Sequence, residues 1–591
     1  MIIGFDLETT SPHRGKHLMV HEARIIGFSV SYAANTGLYI AGVPEGLLKW
    51  ALEDPSVTKV CHNSKFEYSV LKSHGINLVN FEDTKLAAYL LGYQNTSLKA
   101  LARQLLGRDP VTYEQVTKGR DMSELAPEEI AEYAAADADN TRRLWLEYLE
   151  PELHERGLYG LYRSVEIPLV AVLSGMEARG IGVDEERTVR LKDTLGALKG
   201  EEEEVVKWLL GVDEVTNAKL SKALERLDAP IKRRTKVRNW VATDEDSLEE
   251  IRGWWPALVG TIVGKRGNPE KGEDNKIGGV KGLEKLGSYL DQFLELRGPD
   301  GRLHTSFNQA GHWEEAGGEA KGSPKTGRLS SSGPNLQQVP HHVAERMSTE
   351  IRKCLIPRAG WMFVSADVAQ EEPRIVALVA KEEHMLQDVA EGIPIYAPMG
   401  EAIYGYPITK AGNPHEWFVA KTFFLAAIYG ANWTKLKEID PKLSVGAAKL
   451  GWMRLHEMYP RLKQFSQETI EEAKQGHVTD WFGRIRWTPK VWSTDRKLRE
   501  AGYREAINMK VQGPAATVMK MMLTRLSEKL DDMGGKLLLT VHDEVVIECP
   551  EVEVDKVAEL CYNATEGILP IMLPMEVKVG KNWGEMSLWA R

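Results

Sequence analysis

Residues 537–547 read Leu537-Leu538-Leu539-Thr540-Val541-His542-Asp543-Glu544-Val545-Val546-Ile547. Two apolar, strand-forming runs flank a short polar centre, which predicts a β-hairpin with carboxylates at its tip. Alone, such a tip is a solvated turn. A second strand-like run, Trp361–Ala366, leads into Asp367 and then Val368-Ala369-Gln370-Glu371-Glu372-Pro373-Arg374. Read alone, this too is a solvated acidic strand end; were two such carboxylates to meet, their oxygens would suit Mg²⁺ or Mn²⁺.

Between these strands lie helical patterns. In Lys421-Thr422-Phe423-Phe424-Leu425-Ala426-Ala427-Ile428-Tyr429-Gly430, residues Lys421, Leu425 and Tyr429 recur every four positions and share a face. Arg504, Asn508 and Gln512 make a polar stripe of the same spacing. Either pattern also suits an ordinary amphipathic helix. Upstream, Lys325-Thr326-Gly327-Arg328-Leu329-Ser330-Ser331-Ser332-Gly333-Pro334-Asn335-Leu336-Gln337-Gln338-Val339-Pro340 is a long polar, turn-rich run. Helices are predicted over Pro414–Ile428 and Arg499–Lys529.

The N-terminus has its own acidic strand, Ile2-Ile3-Gly4-Phe5-Asp6-Leu7-Glu8-Thr9. Residues two apart point to one face, so Asp6 and Glu8 share a site. Tyr133 and Asp137 lie one turn apart on a helix predicted over Pro127–Tyr148. In His62-Asn63-Ser64-Lys65-Phe66-Glu67, Asn63 is a candidate helix cap with Glu67 in the first turn. Four carboxylates, Asp6, Glu8, Glu67 and Asp137, can hold two Mg²⁺ ions for phosphodiester hydrolysis, with Tyr133 orienting water. Strands at Ile2–Leu7 and Ile25–Tyr32 alternating with helices make residues 1–150 an α/β unit.

At 591 residues the chain is long enough for three to five domains. No run approaches the ~18 apolar residues of a membrane span, and no leader peptide is recognisable. Cys61, Cys354, Cys549 and Cys561 form no metal-binding spacing, which suits buried thiols in a reducing compartment. The net charge of −10 does not exclude nucleic acid, because only a local basic surface is needed. Lys232-Arg233-Arg234-Thr235-Lys236-Val237-Arg238 offers one. Gly253–Gly287 and Gly311–Lys325 read as long loops.

The N-terminal segments resemble the three exonuclease motifs of the DnaQ-like (RNase H-like) 3′→5′ exonucleases of family A DNA polymerases. Asp83–Leu91 and Ser97–Ala102 resemble the same domain. The later segments resemble that family's polymerase motifs. The resemblance implies a multidomain α/β and α+β chain, an exonuclease domain followed by a right-hand polymerase. The expected boundaries are exonuclease 1–155, thumb and connecting segments 156–330, palm 331–400 and 496–591, and fingers 401–495.

It also implies roles. Asp367 and Asp543 bind two catalytic Mg²⁺ ions, with Glu544 in support. Glu372 blocks a ribose 2′-hydroxyl. Lys421 contacts the triphosphate and protonates pyrophosphate. Gln370, Leu425, Tyr429, Tyr396 and His542 line the nucleotide site. Arg328, Asn335, Gln337, Arg374, Arg504, Asn508 and Gln512 contact DNA, and Lys232, Arg233 and Arg234 grip duplex from the thumb. Partners are primed template and dNTPs, for a cytoplasmic monomer acting in replication or repair; a processivity factor is not identified. Val368, Glu371 and Pro373 beside Asp367, and Tyr396 where a histidine is usual, depart from the family pattern, and three further departures stand out. Glu67 replaces an aspartate. Trp417 replaces an arginine, leaving weaker nucleotide binding or a substitute cation such as His415. Leu425 replaces an aromatic residue, a variant pattern that looks bacteriophage-like. The rivals are a single-subunit RNA polymerase or reverse transcriptase, an exonuclease-dominant enzyme, and a catalytically impaired DNA-binding subunit.

Overall fold

The structure is a computed structural model that describes residues 1–14, 17–42, 45–235, 239–266, 276–277, 279–310, 326–340 and 346–590. Two five-stranded sheets organise it. In the N-terminal sheet the order is Gly37–Ala41, Ile25–Ser31, Ile2–Thr9, Thr58–Cys61, Phe81–Asp83. The first three strands are antiparallel, and the last two run parallel to Ile2–Thr9. Phe5 and Leu7 point into the core beneath the sheet, which leaves Asp6 and Glu8 on the opposite face. The predicted helix forms over Pro127–Leu144 with Pro127 in its first turn, then continues as one wider turn to Leu149. It lies directly on the sheet because Gly4 lacks a side chain: a Cβ there would sit 2.0 Å from the Ala138 carbonyl oxygen. This close approach brings Asp137 over Asp6.

The C-terminal sheet is antiparallel throughout, in the order Lys536–Val541, Glu544–Pro550, Trp361–Val368, Met575–Asn582, Glu585–Leu588. The predicted hairpin is present. Its turn is made by His542 and Asp543, with His542 in the left-handed region at φ 54°. Asp367 pairs in register with Glu544 on one side and Glu576 on the other. The helix Arg496–Leu530 backs this sheet with Val518, Met522, Leu523 and Leu526. A separate helical core gathers Pro414–Ile428 through Val419, Phe423 and Phe424.

Residues 253–287 correct the sequence reading. They contain helices Pro256–Val263 and Gly279–Leu296 instead of one long loop. Leu258, Val259, Ile262 and Val263 pack with Val280 and with Leu210, Leu220 and Leu224 into a small core of their own. The glycines and charges interspersed through the segment hide that helical spacing. Residues 267–275 and 278, the stretch 311–325 and the basic residues Lys236 and Arg238 lie outside the described residues.

The two halves are joined by a buried ion cluster. Glu166, just past the exonuclease segment, accepts from Arg484 at 2.6 Å and from Lys520 at 2.8 and 2.9 Å. Gln309 donates to the same carboxylate. Among the described residues no helix is long and apolar enough to cross a membrane, and all four cysteines are buried free thiols.

Candidate active sites

In the N-terminal domain the four predicted carboxylates are placed by three elements: the strand Ile2–Thr9, the helix Ser64–Ser73 and the helix Pro127–Leu144. Burial and the charge of Asp137 push Asp6 up to about 7, against the pull of Lys99. Burial and Asp6 raise Glu8 and Glu67 well above the usual carboxylate range. Burial also raises Asp137, while Lys99 and the Tyr133 hydroxyl act the other way. Glu8 Oε1 and Glu67 Oε2 are buried with no hydrogen-bond partner among the described residues. Buried acceptors that crowd and repel one another call for cations. The donor set is all oxygen, the chemistry that suits a hard divalent cation, although among the described residues no three such side chains stand close enough together, as placed, to hold an ion.

Two local findings differ from the sequence reading. Asn63 stands at the start of its helix, but at φ 77° and without a side-chain capping bond. The capping work falls to Asp83, which accepts from the amides of Ser64, Lys85 and Leu86 and from the Ser64 hydroxyl. The second finding is Lys99. It is 5 % exposed, bonds the Asp137 carboxylate, and lies 4.2 Å from the centre of the Tyr133 ring. Sequence reasoning passed over it because a lysine in an amphipathic helix is ordinarily solvated. The signal was its position between apolar neighbours at the start of Leu98–Leu106.

In the C-terminal domain Asp367 and Asp543 meet at one end of the sheet. Asp367 is pushed up to about 7 by the enclosing protein and then by the like charges of Glu544 and Asp543, although its tip stays open to solvent. Glu544 is held by the Ser365 hydroxyl and by the Trp583 indole at 3.0 Å, with Arg352 at 3.7 Å. It is tied into the fold, as a supporting group would be.

A chain of bonds runs outward from this pair. Arg328 donates to Glu372 at 3.0 Å and to Asp543 at 3.4 Å. Gln512 donates to Glu372 at 3.1 Å, Asn508 to Gln512 at 2.9 Å, and Tyr429 to Asn508 at 2.7 Å. Five segments, spread over 215 positions from Arg328 to Asp543, are thus linked by one chain of bonds. Gln337 donates to the Thr540 carbonyl at 3.0 Å, and Asn335 accepts from Ser331. Gln370 sits at φ 55° and accepts from the Ile395 amide. Tyr396 is buried edge-on to Trp417, with 5.8 Å between ring centres. Leu425 is half-buried, and Lys421, Arg504 and His542 are exposed.

Several expectations are corrected. Arg374 is buried, and its guanidinium bonds the carbonyls of Ala369 and Met572, so it braces backbone instead of reaching DNA. His415 faces Asp440 at 3.3 Å, a carboxylate that also accepts from Tyr404. Arg233 and Arg234 of the basic run are paired with Asp244 and Glu225; Lys232 is exposed. Glu371 is buried against Asp543. Burial and neighbouring Asp543 raise it well above the normal range.

Ligand clefts commonly run from about 300 to 1,000 Å³; here one of about 710 Å³ opens between the two domains, lined by Lys65, Lys85, His17, Ser331 and Asn335.

An α/β domain with a clustered carboxylate site, followed by an antiparallel-sheet domain with its own carboxylate pair, defines an exonuclease domain joined to a polymerase domain. Residues 202–585 match the family model for DNA polymerase family A, and residues 2–154 match that for 3′-5′ exonuclease. The chain belongs to the family A DNA polymerases. It is 31 % identical to DNA polymerase I of Chloroflexus aurantiacus over 99 % of this chain and 61 % of that protein. It is 32 % identical to the thermostable DNA polymerase I of Thermus aquaticus over 86 % of this chain and 55 % of the relative. The chain therefore spans a little over half the length of these relatives. In fold it is similar to the polymerase domain of Pol1 from M. smegmatis, solved in complex with DNA primer-template and dNTP, with a TM-score of 0.80 at 23 % identity, covering 98 % of this chain and 96 % of that one.

Proposed function

We propose that the chain is a template-directed DNA polymerase that proofreads through a 3′→5′ exonuclease, acting as a cytoplasmic monomer on primed DNA in replication or repair. The observation that carries this reading is the meeting of Asp367 and Asp543 on adjacent elements of one sheet, joined by Arg328 to Glu372 and onward to Gln512, Asn508 and Tyr429. Residues 1–155 form the exonuclease domain, 156–330 the thumb and connecting segments, 331–400 and 496–591 the palm, and 401–495 the fingers.

Asp367 and Asp543, and separately Asp6, Glu8, Glu67 and Asp137, would hold divalent cations. When bound, such ions supply charge stabilisation for an attacking and a departing oxygen at phosphorus. The chain's own groups do the rest. Exposed Lys421 meets the triphosphate and delivers a proton to pyrophosphate. Tyr429 packs beside the new base pair. Arg328, Arg504, Asn508 and Gln512 read the minor-groove acceptors shared by all correct pairs. Tyr133 orients water at the exonuclease site. The interdomain cleft offers a frayed primer end a path between sites.

Glu372 is held by two donors, Arg328 and Gln512, in the position that would meet the sugar. Glu372→Ala is expected to raise ribonucleotide incorporation relative to deoxynucleotide by about 100-fold or more, since a 2′-hydroxyl would no longer meet a carboxylate and its steric bulk. Competitive incorporation of dNTP and NTP measures it; an unchanged ratio would reject the assignment and favour the RNA-polymerase rival.

A gel assay tests the whole reading, using 5′-labelled primer on a longer template in Mg²⁺, with and without dNTPs. Extension with dNTPs and shortening without them are expected. Trp417, which cannot grip phosphate as an arginine does, favours one second reading, an exonuclease-dominant enzyme. Shortening without any extension would establish that instead.

A further inference from the structure

The helix Leu98–Leu106 is started by Ser97, whose hydroxyl accepts from the Ala100 amide. Its second residue, Lys99, turns inward among Leu101 and Ala102. For packing alone an unbranched apolar side chain would serve, because burying an ammonium is costly unless it is paired. Lys99 is paired, and with groups of the proposed exonuclease site. Its ammonium holds one oxygen of Asp137, the carboxylate that the Tyr133 hydroxyl also bonds, and sits over the Tyr133 ring. Its field reaches Asp6 and Glu8 as well. With all four carboxylates ionised, as cation binding would require, one ammonium leaves three negative charges. Two divalent cations would turn that into one positive charge, the complement of a single phosphodiester. Without Lys99 the loaded site would be neutral.

We propose that Lys99 is the positioning residue of the exonuclease site: it holds Asp137 and Tyr133 in place and sets the charge of the carboxylate cluster to match one phosphodiester. The inference rests on the exonuclease reading above. A neutral side chain of similar length makes the cluster more negative, so cations should bind more tightly while cleavage slows. A collapsed site would lose both together.

The test compares Lys99→Met and Lys99→Arg with the wild-type chain. Shortening of a 5′-labelled single strand without dNTPs gives the exonuclease rate, and primer extension by the same preparations reports an intact fold. Mn²⁺ binding without DNA is followed by electron paramagnetic resonance in an Asp367→Asn background, which removes a carboxylate of the other site. Lys99→Met is expected to cleave about 100-fold more slowly at saturating cation, the cost of misplacing catalytic groups, with tighter Mn²⁺ binding and normal extension. Lys99→Arg should keep wild-type Mn²⁺ binding and recover part of the rate. Wild-type cleavage by Lys99→Met, or weaker Mn²⁺ binding alongside slow cleavage, would overturn the proposal. A wild-type chain that leaves the strand intact would overturn the exonuclease reading itself.

Discussion

Replacing Asp367 by asparagine is expected to stop primer extension while the exonuclease keeps working. The substitution preserves shape and leaves the strand Trp361–Val368 paired on both sides, so the sheet has no reason to unfold. What it removes is charge at the point where Asp543 and Glu544 already crowd the end of the sheet. Preorganised charge at a reacting phosphorus is the largest single contribution such a site can make. Extension should fall by about 10³-fold or more, equivalent to about 4 kcal/mol in the barrier. Single-turnover incorporation measures this, and strand shortening by the same preparation serves as the folding control. Retention of near-normal extension would remove Asp367 from the proposed site. A pH effect accompanies it. Because Asp367 is raised to about 7 in the unloaded protein, a proton competes with the cation below that pH. At limiting Mg²⁺, extension by the wild-type chain should weaken progressively as pH falls below about 7.

Glu166→Ala should be strongly destabilising. Glu166 is fully buried, and so are its partners Arg484 and Lys520. The three come from the start of the post-exonuclease helices, the turn before Ile485–Trp487, and the helix Arg496–Leu530. Deleting the anion leaves two cations facing each other in the interior. Breaking a buried pair in this way costs about 3–5 kcal/mol. Burial alone would raise Glu166, but Lys520 and Arg484 overcome it and hold the carboxyl down to about 2. Lys520, sharing that single anion with Arg484, is drawn down to about 8 by burial. The sign of the pH dependence follows from the carboxylate. Its folded value lies below the unfolded value of about 4.3, so its contribution is complete above that pH. It is lost as pH falls towards about 2. Urea unfolding should therefore show a large deficit for Glu166→Ala at neutral pH that narrows in acid. An unshifted midpoint at pH 7 would show that the cluster contributes nothing net.

Much of the architecture could be read from local pattern. The strands Ile2–Thr9 and Trp361–Val368 announce themselves by apolar runs ending in carboxylates, and Pro127 and Pro414 mark helix starts. The stripe Arg504, Asn508, Gln512 follows from helical spacing alone. Where the pattern was diluted, as in residues 253–287, two helices were hidden by glycines and charges that do not alter which face is buried.

The backbone course near each carboxylate was thus settled within a few residues along the chain, because strand alternation and helical repeat are local geometry. The partners of side chains were settled otherwise. Arg374 turned inward to Met572, His415 to Asp440, Lys99 to Asp137 and Glu166 to Lys520, across 25 to 354 positions. A long polar side chain looks the same in sequence whether it reaches water or a buried charge. Desolvation and the nearest opposite charge choose between them, and both depend on which distant segments the packed cores bring together.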